Sequence, residues 1–364
     1  MKSNRLKEIK TYDKEFWWYF AGFCGLVFLI SWIPLILTQY SWGFSIGRID
    51  ANEIGDAIGG TLGPMVALLA SALTFLAFWV QYKANQQQRY DIKVERFENK
   101  FYEMLRLHND TVSEIEIAGR HSGRKAFIYL FDEFRFVYRI VEHEYDKWNS
   151  RSEVHAQVAR LSYDKEKLAE FAYKMFFFGV GEQSDKATMH THNVHTPFYI
   201  KTRNILKRLQ NEYRRQSGNG SYVKLIYSSY PPIDLDINYV PFDGHVSKLG
   251  HYYRHLYQTV RFINQQEDLE DTYSFMKTLR AQLSNHEQLL LYYNSFFVDL
   301  WWTEKLFLIS RIVKNIPLYL SDIGPDPVER FRKAIKIENP KISDASVEEE
   351  LGELLEWYNP ANEN

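Results

Sequence analysis

Two long runs without a charged side chain stand out in the first quarter of the chain: residues 16–38, FWWYFAGFCGLVFLISWIPLILT, and residues 57–80, AIGGTLGPMVALLASALTFLAFWV. As helices each run covers roughly 35 Å, enough to cross a hydrocarbon layer about 30 Å thick. The pattern therefore predicts two membrane spans. Around the second, every fourth residue from Gly55 is small: Gly55, Gly59, Gly63, Ala67 and Ser71. In lipid such an edge lets helix backbones approach closely, either within one chain or between copies. Pro64 lacks the N–H that would bond the Gly60 carbonyl, which predicts a kink at that point.

Beyond the second span the pattern changes without a break. From Met65 to Ala118 there is neither Pro nor Gly, and Phe97, Phe101, Met104, Leu105, His108, Val112 and Ile115 recur at spacings of three and four. This predicts one long helix leaving the membrane, a helical stalk over 81–118 that ties the following domain to the span, whose polar stretch QYKANQQQRYDIKVER reads as solvated or as packed against a partner subunit. The rest, 119–364, reads as a mainly helical domain. Apolar periodicity and turn signals predict helices at 124–148, 163–178, 197–216, 246–265, 268–283, 285–297 and 302–316. SNHE at 284–287 forms a capping box ahead of the apolar run LLLYY. A short strand is expected at 222–226, followed by an irregular crossing loop, SSYPPIDLDINYVPFDG, and VEEELGELLEW near the end reads as an acidic amphipathic helix. The predicted fold class is all-α: a membrane domain over 1–80, the helical stalk, and a helical cytoplasmic domain over 119–364.

Charge sets the predicted orientation. Lys2, Arg5, Lys7, Lys10 and Lys14 precede the first span, and Lys83, Arg89, Lys93, Arg96 and Lys100 follow the second, whereas the intervening loop carries only Arg48. The positive-inside rule then puts both termini in the cytoplasm, and Trp17, Trp18 and Trp42 lie where amphipathic rings favour the headgroups. A cleaved signal peptide fits less well, because the first run exceeds a usual h-region and no A-x-A-like site follows it. With 25% charged residues and a net charge of −2 over 364 residues, the bulk of the chain has the composition of a soluble protein. The single cysteine, Cys24, excludes intramolecular disulfides and cysteine-based zinc sites.

Three stretches, FENKFYEMLRLHND at 97–110, LGHYYRHLYQTVRFI at 249–263 and AQLSNHEQLLLYYNS at 281–295, together with the two spans, resemble phage abortive infection proteins of the AbiC type. The resemblance implies bacterial anti-phage defence that sacrifices the infected cell from its inner membrane. It also implies a separate sensor module encoded nearby, such as a retron reverse transcriptase with its nucleic acid. It supplies no catalytic residues.

Candidate chemistry comes from the residues themselves. In LGHYYRHLYQTVRFI, Leu249, Tyr252, Tyr253, Leu256, Val260 and Ile263 form an apolar stripe, and His251, His255 and Gln258 lie opposite with Arg254 and Arg261 beside them. Two His at i and i+4 can bind a metal, but no Glu sits in the H-E-x-x-H position and no third ligand is evident, so a polar face contacting neighbouring helices or a partner is the expected reading. MHTHNVH supplies His190, His192 and His195, a spacing that suits zinc or nickel; a polar loop is the alternative. Arg280 followed by His286 resembles the motif of HEPN ribonucleases, where Arg would stabilise phosphate charge and His would act as acid or base. Against this, the capping box separates the two onto different helices. Lys201, Arg203, Lys207, Arg208, Arg214 and Arg215 interleave with aromatics in KTRNILKRLQNEYRR and suit a nucleic acid or an acidic partner. No phosphate-binding loop, nucleophile elbow or paired-carboxylate signature occurs, and no cofactor is expected. No charge lies inside either span, which argues against a proton relay, and two spans cannot enclose a water path alone whereas several copies could. The expected function is a membrane-anchored effector that senses infection through its cytoplasmic domain or a partner and breaches the membrane as a homo-oligomer in lipid. The alternative is a membrane-tethered ribonuclease.

Overall fold

A computed structural model describes Trp18, 21–25, Phe28, Leu29, Trp32, 51–117, 119–154, 160–181, 184–186, 195–217, 221–266, 271–296, 310–314 and 316–355. The first predicted span, 16–38, otherwise lies outside the described residues, as does the loop after it. The chain divides into two compact units, Met1–Lys93 and Val94–Asn364.

In the first unit the dominant element is the N-terminal part of helix α1, Ala51–Glu114, a 64-residue helix with Pro64 inside it. Its apolar stretch packs against nothing among the described residues: Leu68 is 73% exposed, Phe75 71% and Phe78 66%. By length and composition this is a helix able to cross a membrane. It starts ahead of the predicted span and ends at Glu114, four residues short of Ala118.

The second unit is built around α2 (Arg124–Val154), which packs against α3 (Lys165–Phe178), α4 (Thr196–Gln216) and α7 (Asn285–Asn294). Its core face follows the helical repeat: Phe127, Leu130, Phe131, Phe134, Val137, Tyr138 and Val141 are all buried. The C-terminal part of α1 joins the same core through Phe97, Phe101, Leu105, Val112 and Ile115. Phe97 stacks on Phe262 of α5 (Val246–Asn264) with centroids 5.0 Å apart and meets Phe275 of α6 (Thr272–Arg280) edge-on at 4.8 Å. Helices α8 (Pro327–Glu338) and α9 (Asp344–Leu354) pack on each other at the C-terminal end, joined by Arg332 and Glu348 at 3.0 Å.

The described residues are mainly helical, in keeping with the all-α expectation, with two short strand pairs added. Two residues past the end of α1, β1 (Glu116–Ile117) pairs antiparallel with β2 (His121–Ser122). More substantially, the expected crossing loop contains a strand: β3 (Val223–Tyr227) pairs antiparallel with β4 (Ile233–Ile237), Leu225 opposite Leu235. The reason is a period of two in IDLDI, where Leu235 and Ile237 are buried while Asp234 and Asp236 face solvent. The helix expected at 302–316 also fails at its C-terminal end. Ser310 is helical, Arg311 leaves the helical region at φ 46°, and Ile312–Lys314 are irregular; 302–309 lie outside the described residues.

A glycine pair fixes where α5 begins. Gly179 (φ 80°) and Gly244 (φ 88°) press their backbones together, and a Cβ on Gly244 would lie 2.5 Å from the Phe178 carbonyl oxygen. The approach is locked by Val180 N–H to Phe242 O (3.0 Å) and His245 N–H to Phe177 O (2.8 Å). Buried Glu133 braces the same crossing, accepting Tyr239 O–H at 2.6 Å and Phe242 N–H at 2.8 Å.

Candidate functional site

Helices α5 and α7 meet around one buried carboxylate. The capping box predicted at SNHE is present: Ser284 Oγ accepts Glu287 N–H at 3.3 Å and Ser284 N–H donates to Glu287 Oε2 at 2.8 Å. Beyond capping, the Tyr252 hydroxyl donates to Glu287 Oε1 at 3.2 Å, and Arg124 at the start of α2 approaches Oε2 at 3.8 Å. Burial raises the Glu287 pKa, and these hydrogen bonds and Arg124 oppose the rise. A second buried chain runs from Asn294 Nδ2 to Tyr173 Oη (3.2 Å) and from Tyr173 O–H to Tyr253 Oη (3.2 Å). Tyr292 and Tyr293 donate to the carbonyls of Pro325 and Ile323 at 3.0 and 2.7 Å. The tyrosines of LGHYYRHLYQTVRFI and AQLSNHEQLLLYYNS are thus framework, holding helices together through satisfied buried polar groups.

Beside this framework lies a pair of imidazoles. His108 of α1 is 1% exposed, with its ring 6.3 Å from that of His255 and 5.4 Å from Tyr252. Among the described residues, neither ring nitrogen of His108 has a hydrogen-bond partner, nor has Nδ1 of His255. Burial pulls the His108 pKa down to about 4, helped by His255 and Arg124, and burial with His251 lowers that of His255. In sequence His108 was one more member of an apolar stripe; the histidine within that stripe was the only hint of the pair. His251 and Arg254 instead line a half-open cavity of about 340 Å³ with Phe177, Phe178, Val246, Ser247 and Gly250.

Arg280 and His286 have different surroundings. Arg280 Nη1 donates to the Arg311 carbonyl at 2.8 Å, and its side chain bonds to Tyr273. His286 meets Phe131 edge-on at 6.0 Å and lies near Asp132 and Arg135, its pKa lowered by burial. Among the described residues, no partner is common to the two. His195 caps α4, its Nδ1 accepting Phe198 N–H at 3.3 Å; His190 and His192 lie outside the described residues. Among the described residues no three His, Cys, Asp or Glu converge in a way that could hold a metal ion.

The basic residues of α4 divide into two groups. Lys201 pairs with buried Glu144 of α2, and Arg203 Nε lies 2.7 Å from Asp185 Oδ1. Lys207, Arg208 and Arg215 line an open depression, and Arg214 is exposed. The small-residue edge of α1 is bare: a Cβ built on Gly55, Gly59 or Gly63 would meet nothing within 4 Å among the described residues.

Comparison with known proteins gives one family. Residues 244–318 match the family model described as "Putative phage abortive infection protein". The match starts at Gly244, where the glycine pair sets the entry to α5, and spans α5, α6 and α7 with the Tyr252 to Glu287 contact. It covers two of the three stretches singled out in the sequence and leaves out 97–110. No curated protein and no solved structure matches the chain.

Proposed function

We propose, with support from the match of residues 244–318 to a family of phage abortive infection proteins, that the chain acts as a membrane-anchored effector of abortive infection. In this reading α1 crosses the inner membrane beside a first span at 16–38, both termini are cytoplasmic, and the helical unit receives the infection signal directly or from a sensor encoded nearby. Oligomerised spans then compromise the membrane. The observation carrying the reading is the unburied apolar surface of α1. Each fully exposed Leu or Phe forgoes about 1.5–3 kcal/mol relative to burial, and a contiguous stretch of them calls for lipid or partner helices.

Carbonate extraction tests the anchor: the protein is expected to stay in the membrane pellet, and release into the supernatant overturns the reading. In a Cys24→Ser background, an impermeant thiol reagent is expected to label a cysteine placed at Asp50 and to spare one placed at Gln88 in intact cells. The reverse pattern excludes a cytoplasmic sensing domain.

The breach itself is tested at the small-residue edge. Gly59→Ile and Gly63→Ile keep the stretch apolar, and the open space around both positions means a branched side chain meets no described neighbour. Both variants are expected to reach the membrane at normal levels and to lose the uptake of impermeant dye that follows infection. Wild-type dye uptake in both would leave the edge without a role in permeabilisation.

A further inference from the structure

Helix α4 carries a face that its packing does not explain. Asn204, Lys207, Arg208, Asn211 and Arg215 follow the spacing i, i+3, i+4, i+7 and i+11, which puts them along one side of the helix. With Glu212 and Gln216 they line an open depression of about 680 Å³. Every lining side chain is polar. The Gln216 amide donates to Glu212 Oε1 at 3.0 Å, so the one carboxylate present already has a neutral partner. Among the described residues, Lys207, Arg208 and Arg215 have no ion-pair partner, unlike Lys201 and Arg203, which fasten the same helix in place. An amide leaves the charge of Glu212 in place, so three cations stand against one carboxylate along this face, beside two amides, in a protein whose net charge is −2.

Three classes of partner carry the complementary charge, and the lining decides between them. The centre of a protein interface is enriched in aromatic residues, Met and Arg and depleted in Lys, and this depression offers Arg and Lys but no aromatic or other apolar anchor. Attachment to an anionic membrane by a helix uses an apolar face buried below the headgroups; the opposite face of α4, with Phe198, Leu206, Leu209 and Tyr213, is buried in the protein core instead. Interfaces with nucleic acid are polar and strongly positive, and Asn can serve as both donor and acceptor at base edges. We infer that this face of α4 binds nucleic acid. Lys207, Arg208 and Arg215 contact backbone phosphates, and Asn204 and Asn211 meet the base edges or sugars between them. The inference does not depend on the membrane reading, because dye uptake and oligonucleotide binding are measured separately.

The test is fluorescence anisotropy of the detergent-solubilised full chain with labelled mixed-sequence oligonucleotides, as duplex DNA, single-stranded DNA and single-stranded RNA. Three phosphate contacts predict a salt slope of about −2.7 on a duplex, or a roughly 40-fold loss of affinity between about 50 and 200 mM salt, with a slope of about −2.1 on single strands. In the double variant Arg208→Gln and Arg215→Gln the duplex slope is expected to fall to about −0.9, leaving only a ~3-fold salt effect. Asn211→Ala is expected to keep the full slope and lose discrimination among sequences. All three positions are exposed, so an unchanged thermal midpoint verifies that the variants fold. Wild-type affinity and slope in the double variant overturn the inference. So does binding of phosphatidylglycerol vesicles or polyglutamate, lost in the double variant, with no oligonucleotide bound, since the face would then serve lipid or an acidic protein.

Discussion

Glu287→Ala is expected to lower the stability of the second unit by about 2–4 kcal/mol, because it leaves two donors without an acceptor in a buried site on which three elements converge. The carboxylate is fully buried, accepts the Tyr252 hydroxyl and the Ser284 N–H, and faces Arg124. Alanine leaves both donors without an acceptor, removes half of the capping box and takes away the counter-charge of Arg124, each of which carries a cost beyond the lost volume. Domains are stable by about 5–15 kcal/mol, so the substitution consumes a large share of the total. Denaturant titration of the full chain in detergent, followed by near-UV signals of the many buried tyrosines, measures the effect. Glu287→Gln retains an acceptor for one of the two donors and is expected to lose roughly half as much. A double-mutant cycle with Tyr252→Phe should return a coupling of about 0.5–3 kcal/mol, as for residues in direct contact. A loss below about 1 kcal/mol for Glu287→Ala would show that α5 and α7 are held by apolar packing alone.

The second large effect depends on pH. His108 is buried with its pKa pulled down to about 4, against an ordinary value near 6.5, so the folded state holds it neutral where the unfolded chain would protonate it. Between those values the unfolded state binds more protons. The contribution is therefore complete above about pH 6.5, declines as the pH falls, and is lost by about pH 4, with a total near 3 kcal/mol. At pH 5 the expected loss is about 2 kcal/mol. His255 acts in the same direction. The groups facing the pair are His251 and Tyr252 on α5, Arg124 on α2 and, beyond Tyr252, Glu287 on α7. Among the described residues, the charged or titratable groups acting on the two imidazoles are Arg124 and neighbouring histidines, which disfavour a protonated ring. Unfolding of the full chain at pH 7 and pH 5 measures the loss, and His108→Leu is expected to flatten most of it. Equal acid sensitivity in wild type and His108→Leu would place the responsible group elsewhere. Since His108 lies where α1 packs against α5, acid stress is expected to loosen that contact ahead of the α2 core.

Much of this architecture is legible along the chain because it depends on local periodicity. The stretch from Met65 to Ala118, with neither Gly nor Pro, determines a long helix, because no residue in it breaks the ladder of backbone hydrogen bonds. The stripe Leu249, Tyr252, Tyr253, Leu256, Val260 and Ile263 is buried as its spacing requires, and the SNHE capping box forms because all its bonds lie within four residues. IDLDI was also readable, by its alternation, but the two prolines before it read as a loop signal.

Tertiary structure alone decided which polar side chains are used up. Glu287 is a cap in sequence and becomes the meeting point of α2, α5 and α7 only through Tyr252 and Arg124, residues 35 and 163 positions away. His108 and His255 face each other across 147 positions, a pairing set by how two helices pack and invisible to either helix's own pattern. Along α4, six basic residues look alike in sequence. Lys201 and Arg203 are consumed by Glu144 and Asp185, and Lys207, Arg208 and Arg215 are left facing solvent, because the rotation of a helix against its neighbours selects which charges find partners.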